Sequence, residues 1–221
     1  MKLIFPDELN LAVQAIEAGG LVVVPTHRWY MICANARDRE ACNRIYAGKG
    51  RPRSKSLAYV LPSRIAADDL FVMTPAAHRL AAAFWPGDLA MFLRWRDLDH
   101  AQRHEPVGVP NALVTLDPGL LGQLAEQCTV PIAATTANRS DPSSTTGPAI
   151  TAEEVQQFVT EAGINVAYCI NGGISPLAHH LTIIDCTEPH AKIVRSGVVH
   201  DRAVNAAIAA VATGAGTEAV S

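Results

Sequence analysis

Gly19-Gly20-Leu21-Val22-Val23-Val24-Pro25 decides the fold, because it separates a helical period from a strand. Before it, Leu9, Ala12, Val13 and Ile16 recur at the three- and four-residue spacing of one helix face. That pattern predicts a helix over Asp7–Gly19, with Asp7 as its cap and the glycine pair as its stop. After it, four consecutive apolar residues rich in β-branches and closed by Pro25 predict a strand buried on both faces. The alternation repeats outward. Strands are predicted at Tyr30–Ala34, Ser56–Leu61, Leu89–Trp95, Ala112–Leu116, Pro131–Thr135, Val166–Ile170, Leu181–Asp185 and Lys192–Arg195. Helices are predicted at Asp38–Ala47, Thr74–Phe84, Pro118–Gln127, from a Thr151/Glu154 capping box onward, and at Ala203–Thr213. Asp97–Pro106, polar and carrying His100 and His104, reads as a surface excursion, and Gly214–Ser221 as a frayed tail.

Strands and helices joined by short connections predict a layered α/β domain rather than a bundle or barrel. The chain reads as one domain over residues 1–202, followed at 203–221 by a short helix and tail. Its 221 residues, 49% hydrophobic and 18% charged, are enough to bury a core without disulfides and exclude disorder for the bulk of the chain. No apolar run approaches a membrane span, and Met1–Pro6 lacks the start of a secretory signal. Five scattered cysteines without C-x-x-C spacing support neither a zinc site nor a disulfide framework, and His179-His180 has no helical-spacing partner, so no metal site is assigned. A soluble cytoplasmic protein without a membrane partner is expected; its oligomeric state stays open.

The net charge of −3 argues against a general polyanion binder. Charge is nevertheless concentrated: Lys49, Arg51, Arg53 and Lys55 place four cations in seven residues without an acid. Four segments bring polar or cationic groups to the ends of predicted strands: Pro25–Tyr30, Lys49–Lys55, Thr136–Ser140 and Thr182–Gly197. Strand ends of open α/β sheets are where ligands bind, and Lys and Arg supply charge-assisted bonds to phosphate or carboxylate. Taken singly, the basic segment also fits a solvated face, and the Thr136–Gly147 run a turn-rich loop. Taken together they read as a phosphate-plus-carboxylate pocket. The P-loop, dinucleotide and nucleophile-elbow motifs are absent, and Trp29, Trp85 and Trp95 do not form the platform of a single-strand binder.

In chain order the landmarks resemble one family. They are Gly20-Leu21-Val22-Val23-Val24-Pro25-Thr26, Ile45-Tyr46-Ala47-Gly48-Lys49-Gly50-Arg51-Pro52, Trp85-Pro86-Gly87, Pro131 through Ser140, Thr182-Ile183-Ile184-Asp185 and Ile193-Val194-Arg195-Ser196-Gly197. The chain resembles the YrdC-like domain family over about Leu9–Val199. The resemblance implies a twisted, open mixed sheet with flanking helices around a large concave cationic groove. It also implies L-threonylcarbamoyladenylate synthesis, in which L-threonine, bicarbonate and ATP with Mg2+ yield threonylcarbamoyl-AMP and pyrophosphate for tRNA threonylcarbamoyladenosine modification. Matched by position, Lys49 and Arg51 fall on the family's Lys-x-Arg, implied to contact phosphate and the amino-acid carboxylate and to carry catalysis. Thr136, Asn138, Thr182 and Arg195, with Lys49, fall on nucleotide-contacting positions. Thr26, His27, Arg28 and Tyr30, with Arg51, fall on the substrate wall.

Departures cluster in that wall. Where the family pattern reads Pro-Thr-Asp-Thr-Val-Tyr-Gly-Leu, this chain reads Pro25-Thr26-His27-Arg28-Trp29-Tyr30-Met31-Ile32. Thr115 takes the place of an arginine, Leu181 that of a serine, and Asp141 that of a glycine. These changes keep two alternatives open: a paralogue that makes another carbamoyl-adenylate from a different amine or carbamoyl phosphate, and a non-catalytic RNA- or nucleotide-binding module.

Overall fold

The computed structural model describes residues 1–140 and 147–210. The expected loop between 141 and 146 and the expected frayed tail at 214–221 lie outside the described residues.

Eleven strands form one mixed sheet: β1 (Lys2–Ile4), β2 (Val22–Pro25), β3 (Tyr30–Asn35), β4 (Ala58–Val60), β5 (Phe71–Val72), β6 (Leu89–Trp95), β7 (Asn111–Thr115), β8 (Ile132–Thr136), β9 (Tyr168–Ile170), β10 (Thr182–Asp185) and β11 (Lys192–Arg195). Their spatial order is β1-β9-β2-β3-β8-β4-β7-β6-β10-β11, with β5 paired to β6. Among the described residues the α-helices that accompany them are α1 (Leu9–Glu17), α2 (Arg39–Lys49), α3 (Ile65–Leu70), α4 (Pro75–Phe84), α5 (Leu98–Gln102), α6 (Leu120–Gln127), α7 (Ala152–Glu161) and α8 (Asp201–Ala209).

Local chemistry sets the helix starts. The Asp38 carboxylate accepts from the Ala41 N–H, the Thr74 hydroxyl from Ala77 and the Thr151 hydroxyl from Glu154, each satisfying a donor that the first turn leaves unpaired. Asp7 does not act as the expected cap. Pro6–Glu8 forms a separate 3-10 turn, and Glu8 turns its carboxylate back to the Phe5 N–H at 2.9 Å.

Because strand side chains alternate, each face of the sheet has its own core. Tyr30, Ile32, Leu89, Met91, Leu93, Ala112 and Val114 join one cluster with α2, α4 and α7, and Val204 of α8 joins it too. Val22, Val24, Met31, Cys33, Ile132 and Ala134 face the other way under α1 and α6. On that second face the far half of the sheet is less covered: Ala58, Leu113 and Phe92 stay half-exposed. The β2–β3 hairpin turn reaches across to the β6 and β7 ends at Asp88 and Asp117.

Asp97–Pro106 corrects the sequence reading. It folds into α5 and a 3-10 turn, and His104 is fully buried. The His104 ring packs against both Trp95 and His100, at centroid distances of 5.3 and 4.5 Å, and those two rings touch each other at 5.5 Å. Its Nδ1 faces the His100 carbonyl at 2.8 Å and its Nε2 accepts from Arg37 Nε at 3.0 Å. Burial and the neighbouring charge of Arg37 hold its pKa down to about 4, against the opposing pull of the His100 carbonyl.

Candidate functional site

Lys49 is the last residue of α2, not part of a cationic loop, and only 2% of it is exposed. Gly50 follows in the left-handed region at φ 59°, which ends the helix. The Lys49 ammonium reaches the carbonyls of Thr136 and Asn138 and the Asn138 side-chain oxygen at 3.2 Å. The Thr136 hydroxyl donates to that same oxygen at 2.6 Å. Thus Lys49, Thr136 and Asn138 form one cluster at the end of β8. Burial and the neighbouring charge of Arg51 pull the ammonium's pKa down to about 7, while three oxygen acceptors favour the charged form. Arg51 lies beside this cluster. Its Nε and Nη2 donate to the carbonyls of Lys55 and Ser56 at 2.8 and 2.7 Å, so it also shapes the segment leading into β4.

The substrate-wall positions occupy the β2–β3 turn. The Thr26 hydroxyl donates to the Trp29 carbonyl at 2.8 Å and accepts from the N–H groups of Arg28 and Trp29, which fixes the turn. Tyr30 is fully buried; its hydroxyl donates to the Gly173 carbonyl at 2.7 Å and accepts from the Gly172 N–H. It therefore ties β3 to the segment after β9. Arg28, 4% exposed, lies between two carboxylates: its Nε is 2.9 Å from Asp88 Oδ1 and its Nη2 3.8 Å from Asp117 Oδ2. His27 Nε2 meets Asp88 at 2.8 Å. Asp117 is buried, which raises its pKa against the opposing pull of the Gly119 N–H and Arg28. Neither acid was singled out from sequence, although a buried arginine in an apolar hairpin requires carboxylate partners.

The nucleotide-side positions at the far edge separate into two roles. Thr182 is fully buried and its hydroxyl exchanges two bonds with Val199, donating to the carbonyl at 2.8 Å and accepting from the N–H at 3.0 Å. Arg195 is exposed, and its guanidinium donates to the Leu181 carbonyl at 3.2 and 3.1 Å. Partial desolvation of the guanidinium and the positive charge of Arg28 lower its pKa. The structure thus brings together Lys49, Thr136 and Asn138 beside Arg51, joins His27 and Arg28 at Asp88, and holds Arg195 separately on the Leu181 carbonyl.

Two hollows border them. One, of about 560 Å3, is lined by Thr26, His27, Asp88 and Asp117. The other, of about 480 Å3, lies between Trp29, Asn138 and α7. Phe158 of α7 lines it and lies 5.6 Å from the Lys49 ammonium by its ring centroid.

The threonylcarbamoyl-AMP synthase of Pyrococcus abyssi is 30% identical over 192 residues, covering 86% of this chain and 54% of that protein. The crystal structure of P. abyssi Sua5 complexed with L-threonine matches with a TM-score of 0.80 at 27% identity, over 94% of this chain and 60% of that one. The chain thus spans a little over half the length of these archaeal relatives. Escherichia coli YciO shares the fold at a TM-score of 0.74 and 21% identity, over 89% and 95% of the two chains. Among the described residues no helix is long and apolar enough to cross a membrane. The sequence model of the Sua5/YciO/YrdC family, described as telomere recombination, matches residues 14–197, and the chain belongs to that family.

Proposed function

We infer that this chain is an ATP-dependent enzyme of the threonylcarbamoyl-AMP synthase type. The amine of L-threonine condenses with bicarbonate to a carbamate and releases water. A carbamate oxygen then attacks the α-phosphorus of ATP and pyrophosphate departs, leaving threonylcarbamoyl-AMP. No covalent nucleophile is needed; positioning and neutralisation of phosphate charge carry the rate. The observation that supports this most is the convergence of Lys49 with Thr136 and Asn138, from 87 and 89 residues away, on one buried ammonium. In this reading Lys49 exchanges the Asn138 oxygen for a phosphate or carboxylate oxygen. Arg51 and Arg195 add the second and third cations. Mg2+ would arrive with the triphosphate, whose oxygens and waters supply most of its ligands. The product would pass to the tRNA-modifying machinery of the cytoplasm.

A second reading has its own observation. The Arg28 guanidinium is engaged by Asp88 and Asp117 at the substrate end, which changes the amine pocket and favours an amine other than threonine. Pyrophosphate release and mass spectrometry of the adenylate, with ATP, Mg2+, bicarbonate and a panel of amino acids plus carbamoyl phosphate, separate the readings. Release that requires bicarbonate and threonine supports the first, and release with another amine supports the second. No release with any substrate overturns both and leaves nucleotide or RNA binding alone.

A further inference from the structure

The hollow of about 560 Å3 between the β2–β3 turn and the starts of β6 and α6 stands apart from the phosphate cluster: none of Lys49, Arg51, Thr136 and Asn138 lines it. Its ionisable wall groups are His27, Asp88 and Asp117. Arg28, 5% exposed at its side chain, sits against both acids and balances one of them. One negative charge is left facing the space. The two acids differ. Asp88 is the accessible one, its side chain 19% exposed and its Oδ2 3.0 Å from His27 Nε2. Asp117 is only 2% exposed at its side chain, and its Oδ1 accepts from the Gly119 N–H at 2.8 Å. Its Oδ2 has no hydrogen-bond partner among the described residues, with Arg28 no nearer than 3.8 Å. A buried carboxylate oxygen in that state is costly. The raised pKa of Asp117 under burial marks the same shortage of positive charge.

Charge and surface together select the occupant. The acids repel phosphates and carboxylates. A Ca2+ or Mg2+ ion takes six or more oxygen ligands, and Gly119, His27 and Arg28 already draw on these two carboxylates. Much of the remaining wall is apolar: Pro25, Pro118, Leu120 and Ile174, the last lining the hollow although 70% of it is exposed. A primary ammonium on a short aliphatic chain meets both conditions. Its N–H donors pair with Asp88, Asp117 adds its field from behind, and its methylenes cover the proline, Leu120 and Ile174 surface.

We propose that this hollow is a binding site for a small aliphatic amine in its ammonium form, held on Asp88 and distinct from the phosphate cluster. The test is calorimetry on the full chain in borate buffer at about pH 8.5, above the ordinary imidazole range. There n-butylammonium should bind wild type. The uncharged n-butanol should bind at least about 10-fold more weakly, and butyrate should not bind. Asp88→Asn should weaken n-butylammonium about 10- to 150-fold, the range for one hydrogen bond to a charged group. Because that variant also disturbs Arg28, Ile174→Arg supplies an independent check. It sets a cation at the exposed rim and should weaken n-butylammonium about 10-fold with an unchanged Tm. Absence of n-butylammonium binding to wild type, or equal affinity for n-butanol, overturns the site. Displacement of n-butylammonium by L-threonine overturns it as a separate site and joins the hollow to the amino-acid pocket. Either failure leaves the proposed reaction standing.

Discussion

Asp88→Asn removes the closer carboxylate from the buried Arg28 guanidinium while preserving side-chain shape. Arg28 and Asp88 side chains are 5% and 19% exposed and meet at 2.9 Å; Asp117 stands off at 3.8 Å. Breaking a fully buried pair costs about 3–5 kcal/mol. Here Asp88 is partly hydrated and Asp117 remains as counter-charge, so the expected loss is about 2–3 kcal/mol. At roughly 2–4 °C per kcal/mol for a chain of this size, Tm should fall by about 4–12 °C. Arg28→Met should do at least as much by leaving Asp117 buried without a cation. It should also change the pH dependence. Asp117, whose folded pKa is already raised, would bind its proton still more tightly folded than unfolded. The variant would therefore be most stable below about pH 4 and lose stability as pH rises through the folded pKa. Denaturant unfolding of both single variants and the Arg28→Met/Asp88→Asn double variant measures the coupling, and the double should cost less than the sum by about 1–3 kcal/mol. An Asp88→Asn variant within about 0.5 kcal/mol of wild type, or strict additivity, would refute the ion-pair account.

The Lys49 ammonium, with its pKa lowered to about 7, binds its proton less tightly folded than unfolded. Wild type should therefore gain on Lys49→Met by up to ~1.4 kcal/mol per pH unit between about pH 7 and 10.5, read by denaturant midpoints across pH. Arg51→Ala should abolish pyrophosphate release while leaving the far-ultraviolet circular dichroism unchanged, and retained turnover would remove Arg51 from the site. Thr182→Val strips both bonds to Val199 inside the core and should cost about 1–3 kcal/mol in chemical unfolding. His104, with its pKa lowered to about 4, stays neutral when folded. Wild-type stability should thus fall as pH drops from about 6.5 toward 4, a decline that His104→Gln should blunt in thermal melts across that range.

Sequence patterning reached furthest where one strand carries its own signal. Leu89–Trp95 and Lys192–Arg195 form as read, because each holds an apolar run beside a turn signal, Pro86-Gly87 before the first and Ser196-Gly197 after the second. Lys2–Ile4 escaped notice: three residues hold too little pattern, and the strand exists by parallel pairing with Tyr168–Ile170. Ile65–Leu70 likewise makes less than two turns. His104 looked like surface because its neighbours are polar, and only the tertiary placement of Trp95 and Arg37 explains its burial. At the candidate site, the identities of Lys49 and Asn138 were legible but their bonding was not. Two of the three oxygens around the ammonium are backbone carbonyls, which residue type does not encode.

The wall substitutions have a common electrostatic logic. The family pattern that this chain resembles has an acid at position 27 and a cation at 115; here stand His27, Arg28 and a buried Thr115 whose hydroxyl has no partner among the described residues. Asp117 lies two residues beyond Thr115, and Asp88 opens β6 on the neighbouring strand. The cation has moved to the hairpin, while carboxylates stand at the β6 and β7 ends. Unselected drift would as readily leave a charge buried without a partner, at several kcal/mol. Here Arg28 meets both acids and His27 meets Asp88. Meanwhile Lys49 and Asn138 keep their mutual contact. The compensated changes thus concentrate at the hairpin, while Thr115 and Leu181 remain departures without such compensation, so on the proposed reading an assay of turnover has to vary the amine and the nucleotide in turn.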